Sequence, residues 1–144
     1  MSGTGKSTLA AALVERGIRA IDLDDGYCEV APDGEWIWNE PLVHELLAGA
    51  GEENLFIAGC ASNQGAFYGE IDLVVVLSAP ASVMIERIRT RRGNHFGKSA
   101  EEMDRILSDL AEIEPLLRRR ADREIRTDRA LREVIEDVLA LMEP

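Results

Sequence analysis

Apolar residues fall into short continuous blocks separated by longer stretches of mixed character. Lys6 to Arg16 is rich in Ala and Leu and stops at Gly17, which predicts a helix with a glycine at its C-terminal end. Ile18 to Leu23 then predicts a short strand, and acids gather at its end: Asp22, Asp24 and Asp25. Asn39 is placed to cap a helix running from Pro41 to Ala50, closed by Gly49 and Gly51. Leu55 to Ala58 is a short apolar run ending at Gly59. Ile71 to Leu77, rich in β-branched residues and bounded by Ser78-Ala79-Pro80, carries the strongest strand signal. Residues 81–92, 100–120 and 129–142 predict helices, with Pro115 marking a kink or break in the second. Continuous rather than alternating apolar runs suit a parallel sheet covered on both faces. Strands that alternate with helices therefore predict an α/β fold, a parallel sheet flanked by helices.

Length and composition narrow this picture. The 144 residues are 46% hydrophobic and 30% charged, a globular composition that predicts one domain. Sixteen Lys and Arg stand against 27 Asp and Glu, a formal net charge of −11. That sign argues against nucleic acid or an anionic membrane as a partner, because both require a cationic face. No apolar stretch approaches the ~20 residues of a membrane span, and the N-terminal residues lack the apolar core of a secretory signal. Two cysteines, Cys28 and Cys60, are too few to staple the domain and read as small buried residues of a protein in the reducing cytoplasm. The charge is also unevenly placed. Residues 1–86 hold three basic and 14 acidic residues, residues 87–144 hold 13 of each, and no Lys or Arg occurs between Arg19 and Arg87.

Chemistry enters at the start of the chain. Ser2-Gly3-Thr4-Gly5-Lys6-Ser7-Thr8, followed by Leu-Ala-Ala-Ala-Leu, is the C-terminal part of the phosphate-loop pattern G-x-x-x-x-G-K-[ST]. Small residues let successive backbone N–H groups turn inward as an anion nest at the positive end of the following helix. Lys6 would reach the β- and γ-phosphates of ATP, and Ser7 would offer its hydroxyl to Mg²⁺. Thr8 falls near the base or the α-phosphate. The first glycine of the pattern would sit just before Met1, and the strand that normally feeds the loop is missing. The expectation is that roughly ten N-terminal residues, one strand's worth and its turn, are absent. A central strand supplied by residues 1–144 would refute it.

Other phosphate-loop proteins fit less well. There is no Asn-Lys-x-Asp segment to read guanine and no Leu-Ser-Gly-Gly-Gln signature. Val74 to Leu77 ends in Ser78 and Leu55 to Ala58 ends in Gly59, so neither apolar run ends in the acid of a motor ATPase. Acids end only the segment after the first helix, at Asp22 and Asp24.

Gly3-Thr4-Gly5-Lys6-Ser7-Thr8, Asp22-Leu23-Asp24, Arg87-x-x-x-Arg91 and the polar run Gly93-Asn94-His95-Phe96-Gly97-Lys98 together resemble the small-molecule P-loop kinases, the shikimate-kinase-like and adenylate-kinase-like group. Glu114-Pro115-Leu116-Leu117-Arg118, Ala121 and Ile125-Arg126-Thr127-Asp128 are similar to that family's closing segment. The resemblance spans nearly the whole chain and implies a three-layer P-loop NTPase fold, with a lid-like segment at about residues 92–99. By that resemblance Asp22 helps hold Mg²⁺ through water and Asp24 sits against the acceptor hydroxyl, though Asp25 could take its place. Arg87 would stack near adenine, Arg91 would contact phosphates, and Arg118 with Arg119 would clamp the transferring group. Planar, bidentate guanidinium groups suit these roles. A solvated basic helix face or a simple loop cap is the competing reading for each.

The acceptor is a different matter. The family's anion-binding arginines have no counterpart between residues 20 and 86, and its closing-segment arginine falls on Ile113. Its glycine triplet is replaced by Gly59-Cys60-Ala61. Tyr27, Glu29, Trp36, Trp38, Glu40, His44, Asn63 and Gln64 suit a neutral or cationic polyol, sugar or amino alcohol. Equally, Trp36 and Trp38 at alternate positions could place one ring in the core and one at the surface. His44 and His95 are too isolated for a zinc site. The chain thus reads as an ATP- and Mg²⁺-dependent kinase of a small-molecule hydroxyl. An ATP-binding module without acceptor, or an inactive truncated form, is the alternative.

Overall fold

A computed structural model describes residues 3–93 and 95–143; Ser2 of the glycine-rich run and Asn94 of the lid-like segment lie outside the described residues. The chain forms two compact units, one of residues 6–72 and one of Gly3–Gly5 with the chain from Leu73 onward.

In the first unit, α1 (Lys6–Glu15), β1 (Arg19–Asp22), β2 (Cys28–Val30), β3 (Trp36–Trp38), α2 (Glu40–Ala48), β4 (Leu55–Ala58) and a 3₁₀ helix (Gln64–Glu70) follow in order. β1 and β4 pair in parallel, from Arg19 opposite Leu55 to Asp22 opposite Ala58. Leu23, Trp38, Val43, Leu46 and Phe67 make the core, with Ile21, Leu55 and Ile57 packed against it. β2 and β3 form an antiparallel hairpin; Trp36 and Trp38 share one face of β3, where Trp38 is buried in the core and Trp36, next to the hairpin turn, stays 55% exposed. α2 begins where expected, at Asn39, whose side-chain oxygen accepts from the Leu42 N–H at 3.1 Å.

The second unit holds β5 (Val75–Ser78), α3 (Ala81–Thr90), α4 (Ala100–Glu112), α5 (Glu114–Arg120), β6 (Arg123–Arg126) and α6 (Leu131–Ala140). β5 and β6 pair in parallel, with Leu77 opposite Ile125. The expected 71–77 strand is shorter and later than its apolar pattern. The Val74 N–H is taken by the Asp122 carboxylate at 2.8 Å, so the regular ladder starts at Val75. The expected 100–120 helix breaks at Ile113, and Pro115 lies in the first turn of α5, where its missing N–H breaks no helical bond. Ser99 and Glu102 close a capping box on α4. No strand precedes α1 among the described residues, and none of their helices is long and apolar enough to cross a membrane.

Gly97 ties the lid-like segment to this unit. Its φ is +88°, and a Cβ there would lie 2.5 Å from Ile88 Cγ2 and 2.7 Å from Ile106 Cδ1, both buried side chains of α3 and α4. Gly97→Ala is expected to destabilise by about 2–4 kcal/mol through backbone strain plus overpacking, read from urea denaturation midpoints. A change under about 0.5 kcal/mol would show the segment is not packed there.

Candidate active site

The loop that precedes α1 is tied down through its carbonyls. Gly3 and Gly5 have φ of +78° and +95°, and a Cβ on Gly3 would come within 2.9 Å of the Met84 carbonyl oxygen. Arg87 Nη1 donates to the Gly3 carbonyl at 3.2 Å and to Thr127 Oγ1 at 3.0 Å, and its Nη2 donates to the Thr127 carbonyl. Thr127 Oγ1 in turn donates to the Thr4 carbonyl at 2.8 Å. Thr4, Ser78 and Thr127 are all buried, and the Thr127 N–H is fixed by the Ser78 carbonyl at 2.8 Å. In a trans peptide the C=O and the following N–H point in opposite directions. With the Gly3 and Thr4 carbonyls held toward Arg87 and Thr127, the N–H groups of Thr4 and Gly5 are directed the other way, as an anion nest requires. Arg87's bonds lie in the guanidinium plane and do not use its face, the surface that ring stacking would need.

The other arginines are engaged differently. Arg91 Nη2 donates to the Phe96 carbonyl, and partial burial lowers the pKa of the group. Lys98 Nζ reaches the Arg89 and Arg91 carbonyls at 2.9 and 2.7 Å, fastening the lid-like segment to the end of α3. Arg118 bridges Glu114 Oε1 at 2.6 Å and Glu124 Oε1 at 3.0 Å, so a clamp on phosphate would require exchanging these partners. Glu124 is held below the usual carboxylate range, first by the Ser78 hydroxyl and then by Arg118. Arg119 is exposed.

In the unit of residues 6–72, Ser7 Oγ lies 2.5 Å from Asp22 Oδ2, which joins the first turn of α1 to the end of β1. Asp22 Oδ1 accepts from the Asp24 N–H at 3.1 Å, and the Leu23 N–H goes to the Ala58 carbonyl at 2.8 Å. The acidic turn is therefore fixed at both the carboxylate and the backbone. The Asp24 side chain is exposed but partly withdrawn from water, and its pKa is raised, first by desolvation and then by Asp22, with Lys6 opposing both. Cys28 donates to the Leu23 carbonyl at 3.2 Å, and burial followed by the charge of Asp24 pushes its thiol up, which makes it a poor nucleophile. Thr8 is exposed on α1. Several candidates for acceptor contacts serve the fold instead. Asn63 exchanges hydrogen bonds with the Trp38 backbone at 3.0 and 2.9 Å, Gln64 bonds the Ala61 N–H and Tyr68, and His44 pairs with Glu70 at 2.6 Å.

The Ser7 hydroxyl and Asp22 carboxylate form a hard oxygen pair that fits Mg²⁺, an ion that keeps several waters and needs few protein ligands. Sequence reasoning named neither Thr127 as the loop's anchor nor Glu114 and Glu124 as partners of Arg118. Only a lone Thr between Arg126 and Asp128 hinted at the first.

Residues 1–108 match the AAA domain family. No curated protein matches the sequence. Among solved structures, the shikimate kinase from Bacteroides thetaiotaomicron aligns with a TM-score of 0.63 at 21% identity, over 99% of this chain and 94% of that one. TT1252 from Thermus thermophilus aligns with a TM-score of 0.65 at 17% identity, over the same shares. The chain therefore has a nucleotide-binding P-loop fold of the shikimate- and adenylate-kinase kind, with parallel strands flanked by helices. It belongs to the AAA domain family, whose match covers three-quarters of its length.

The raised pKa of Asp24 has a consequence for stability. Protonation favours the folded state, a contribution fully present below the ordinary carboxylate pKa and lost as pH rises through the folded value. Asp24→Asn is expected to raise Tm at neutral pH, with the gain shrinking as pH falls toward about 4. Thermal melts across that range would contradict this by a lower Tm at pH ~7.

Proposed function

We propose that the chain is an ATP-dependent small-molecule kinase that transfers the γ-phosphoryl group to a hydroxyl of a small neutral or cationic metabolite. The observation that carries this reading is the Ser7–Asp22–Asp24 arrangement, in which one carboxylate engages the phosphate-loop hydroxyl and the other has a raised pKa. Bound Mg·ATP would supply the phosphoryl group and neutralise charge on it. The N–H groups of Thr4 and Gly5 and the ammonium of Lys6 bind phosphate oxygens. Ser7 and Asp22 would hold the metal ion, Asp22 through water. Asp24 accepts the hydrogen bond of the acceptor hydroxyl, orients its oxygen and takes its proton as transfer proceeds. Arg87 offers its face to the adenine, and Arg91 contributes charge toward the phosphates. Thr8 lies at the base or α-phosphate.

The choice of acceptor rests on charge. From residue 20 to 86 the chain has no Lys or Arg to pair with a carboxylate or phosphate acceptor, while Tyr27, Trp36 and Glu40 suit hydroxyls and amines.

An ATP-consumption screen over hydroxyl-bearing metabolites tests the reading. Polyols, sugars or amino alcohols are expected to be turned over, and a preference for carboxylate or phosphate acceptors would refute the assignment. With the substrate so found, Asp24→Asn should lower kcat by about 10²–10⁴ with Mg·ATP affinity retained, whereas Lys6→Ala should lose both. Because only ionised Asp24 can accept the proton, the wild-type rate should fall as pH drops through its raised pKa. A rate flat down to the ordinary carboxylate range would remove Asp24 from that role.

A further inference from the structure

The unit that contains β5 and β6 holds a cavity of about 360 Å³, which no step of the proposed phosphoryl transfer uses. Its floor is the turn from β5 into α3, Ser78 to Ala81, and its walls are Leu110, Glu114 and Arg118 on one side and Arg126 on the other. Glu114 is 6% exposed. Its Oε1 is paired with Arg118, but its Oε2 is buried and has no hydrogen-bond partner among the described residues.

The surrounding side chains cannot easily satisfy that oxygen. Arg118 directs both Nε and Nη2 to Glu124 Oε1, at 3.2 and 3.0 Å, and Nη2 is also the atom that meets Glu114 Oε1. Arg126 is gripped in bidentate fashion by Asp128, at 3.0 and 2.8 Å. The Ser78 hydroxyl donates to Glu124. The two guanidinium groups of the lining, Arg118 and Arg126, are thus paired with Glu124 and Asp128 as well as Glu114, and the buried acceptor left open belongs to the most buried of the three carboxylates. A buried acceptor left open calls for a donor from outside the protein chain. Its being a carboxylate oxygen favours a cationic one, since a charge-assisted hydrogen bond is about twice as strong as a neutral one. The volume far exceeds a bare ion and lies at the lower end for small-molecule pockets. Leu110, Ala79, Pro80 and Ala81 give it an apolar surface suited to a short carbon chain.

We propose that this cavity binds a small organic ammonium ion, its N–H groups directed to Glu114 and its carbon chain lying against Leu110 and the Ala79–Ala81 turn. The site would be distinct in role from the phosphate loop and does not depend on the kinase reading.

The test is titration of the full chain, without nucleotide, by calorimetry and backbone-amide NMR. n-Butylamine, putrescine and agmatine are the probes, with 1-butanol and 1,4-butanediol as neutral controls. At least one amine is expected to bind about tenfold or more tightly than the neutral controls, with shifts centred on residues 78–81 and 110–118. Glu114→Gln removes the charge, and Ala81→Leu fills the cavity while keeping Glu114 and its ion pair. Each should abolish the preference in protein whose circular dichroism shows it folded, and the second variant serves if the first is unstable. Amines that bind no better than the alcohols, no binding by any amine, or wild-type amine affinity in folded Ala81→Leu would each overturn the proposal.

Discussion

One buried hydroxyl organises the start of this chain. Thr127 Oγ1 has a single proton to donate, and it goes to the Thr4 carbonyl, while the same oxygen accepts from Arg87. Arg87 then reaches the Gly3 carbonyl, so two successive peptide units are held from one side by partners more than eighty residues away. The backbone N–H groups are thereby turned to the opposite side. Thr127 is itself held at its N–H by Ser78 and at its carbonyl by Arg87, and its hydroxyl lies closer to the Thr4 carbonyl, 2.8 Å, than to the Ser78 carbonyl, 3.3 Å. A phosphate loop arranged this way is preorganised, and binding an anion there involves little reordering of the backbone.

Electrostatics gives the acidic turn a different character. Placing Asp24 beside Asp22, partly withdrawn from water, opposes ionisation, and Lys6 compensates only in part. Such an arrangement works against folding at neutral pH and is understandable where chemistry requires a carboxylate able to take a proton. Nearby, Trp38, Asn63 and Gln64 build the core and its turns, while Trp36 and Glu40 are exposed.

The elements that were legible in the sequence carry their own local cause. α1 ends at its glycine, α2 starts at its asparagine cap, and β4 coincides with a run of four apolar residues. What escaped had no such cause. β6 reads Arg-Glu-Ile-Arg, a strand with one buried side chain whose pairing with β5 comes from tertiary context. The β2–β3 hairpin is built of three-residue strands, too short for a periodic signal. The phosphate-loop residues and the Asp22–Asp24 pair could be read because motif spacing is local. Thr127 and Glu114 could not, because their importance lies in partners brought near by folding.

The loop's dependence on Thr127 is open to one direct measurement, the affinity for Mg·ATP of the wild-type chain and of Thr127→Val by calorimetry. The substitution keeps the side-chain shape while leaving the Thr4 carbonyl without its donor and Arg87 with one acceptor fewer, its bonds to the Gly3 and Thr127 carbonyls retained. Wild-type protein is predicted to bind, and folded Thr127→Val to bind at least about tenfold more weakly. Absence of Mg·ATP binding by the wild-type chain, or an unchanged affinity in the folded variant, would contradict it.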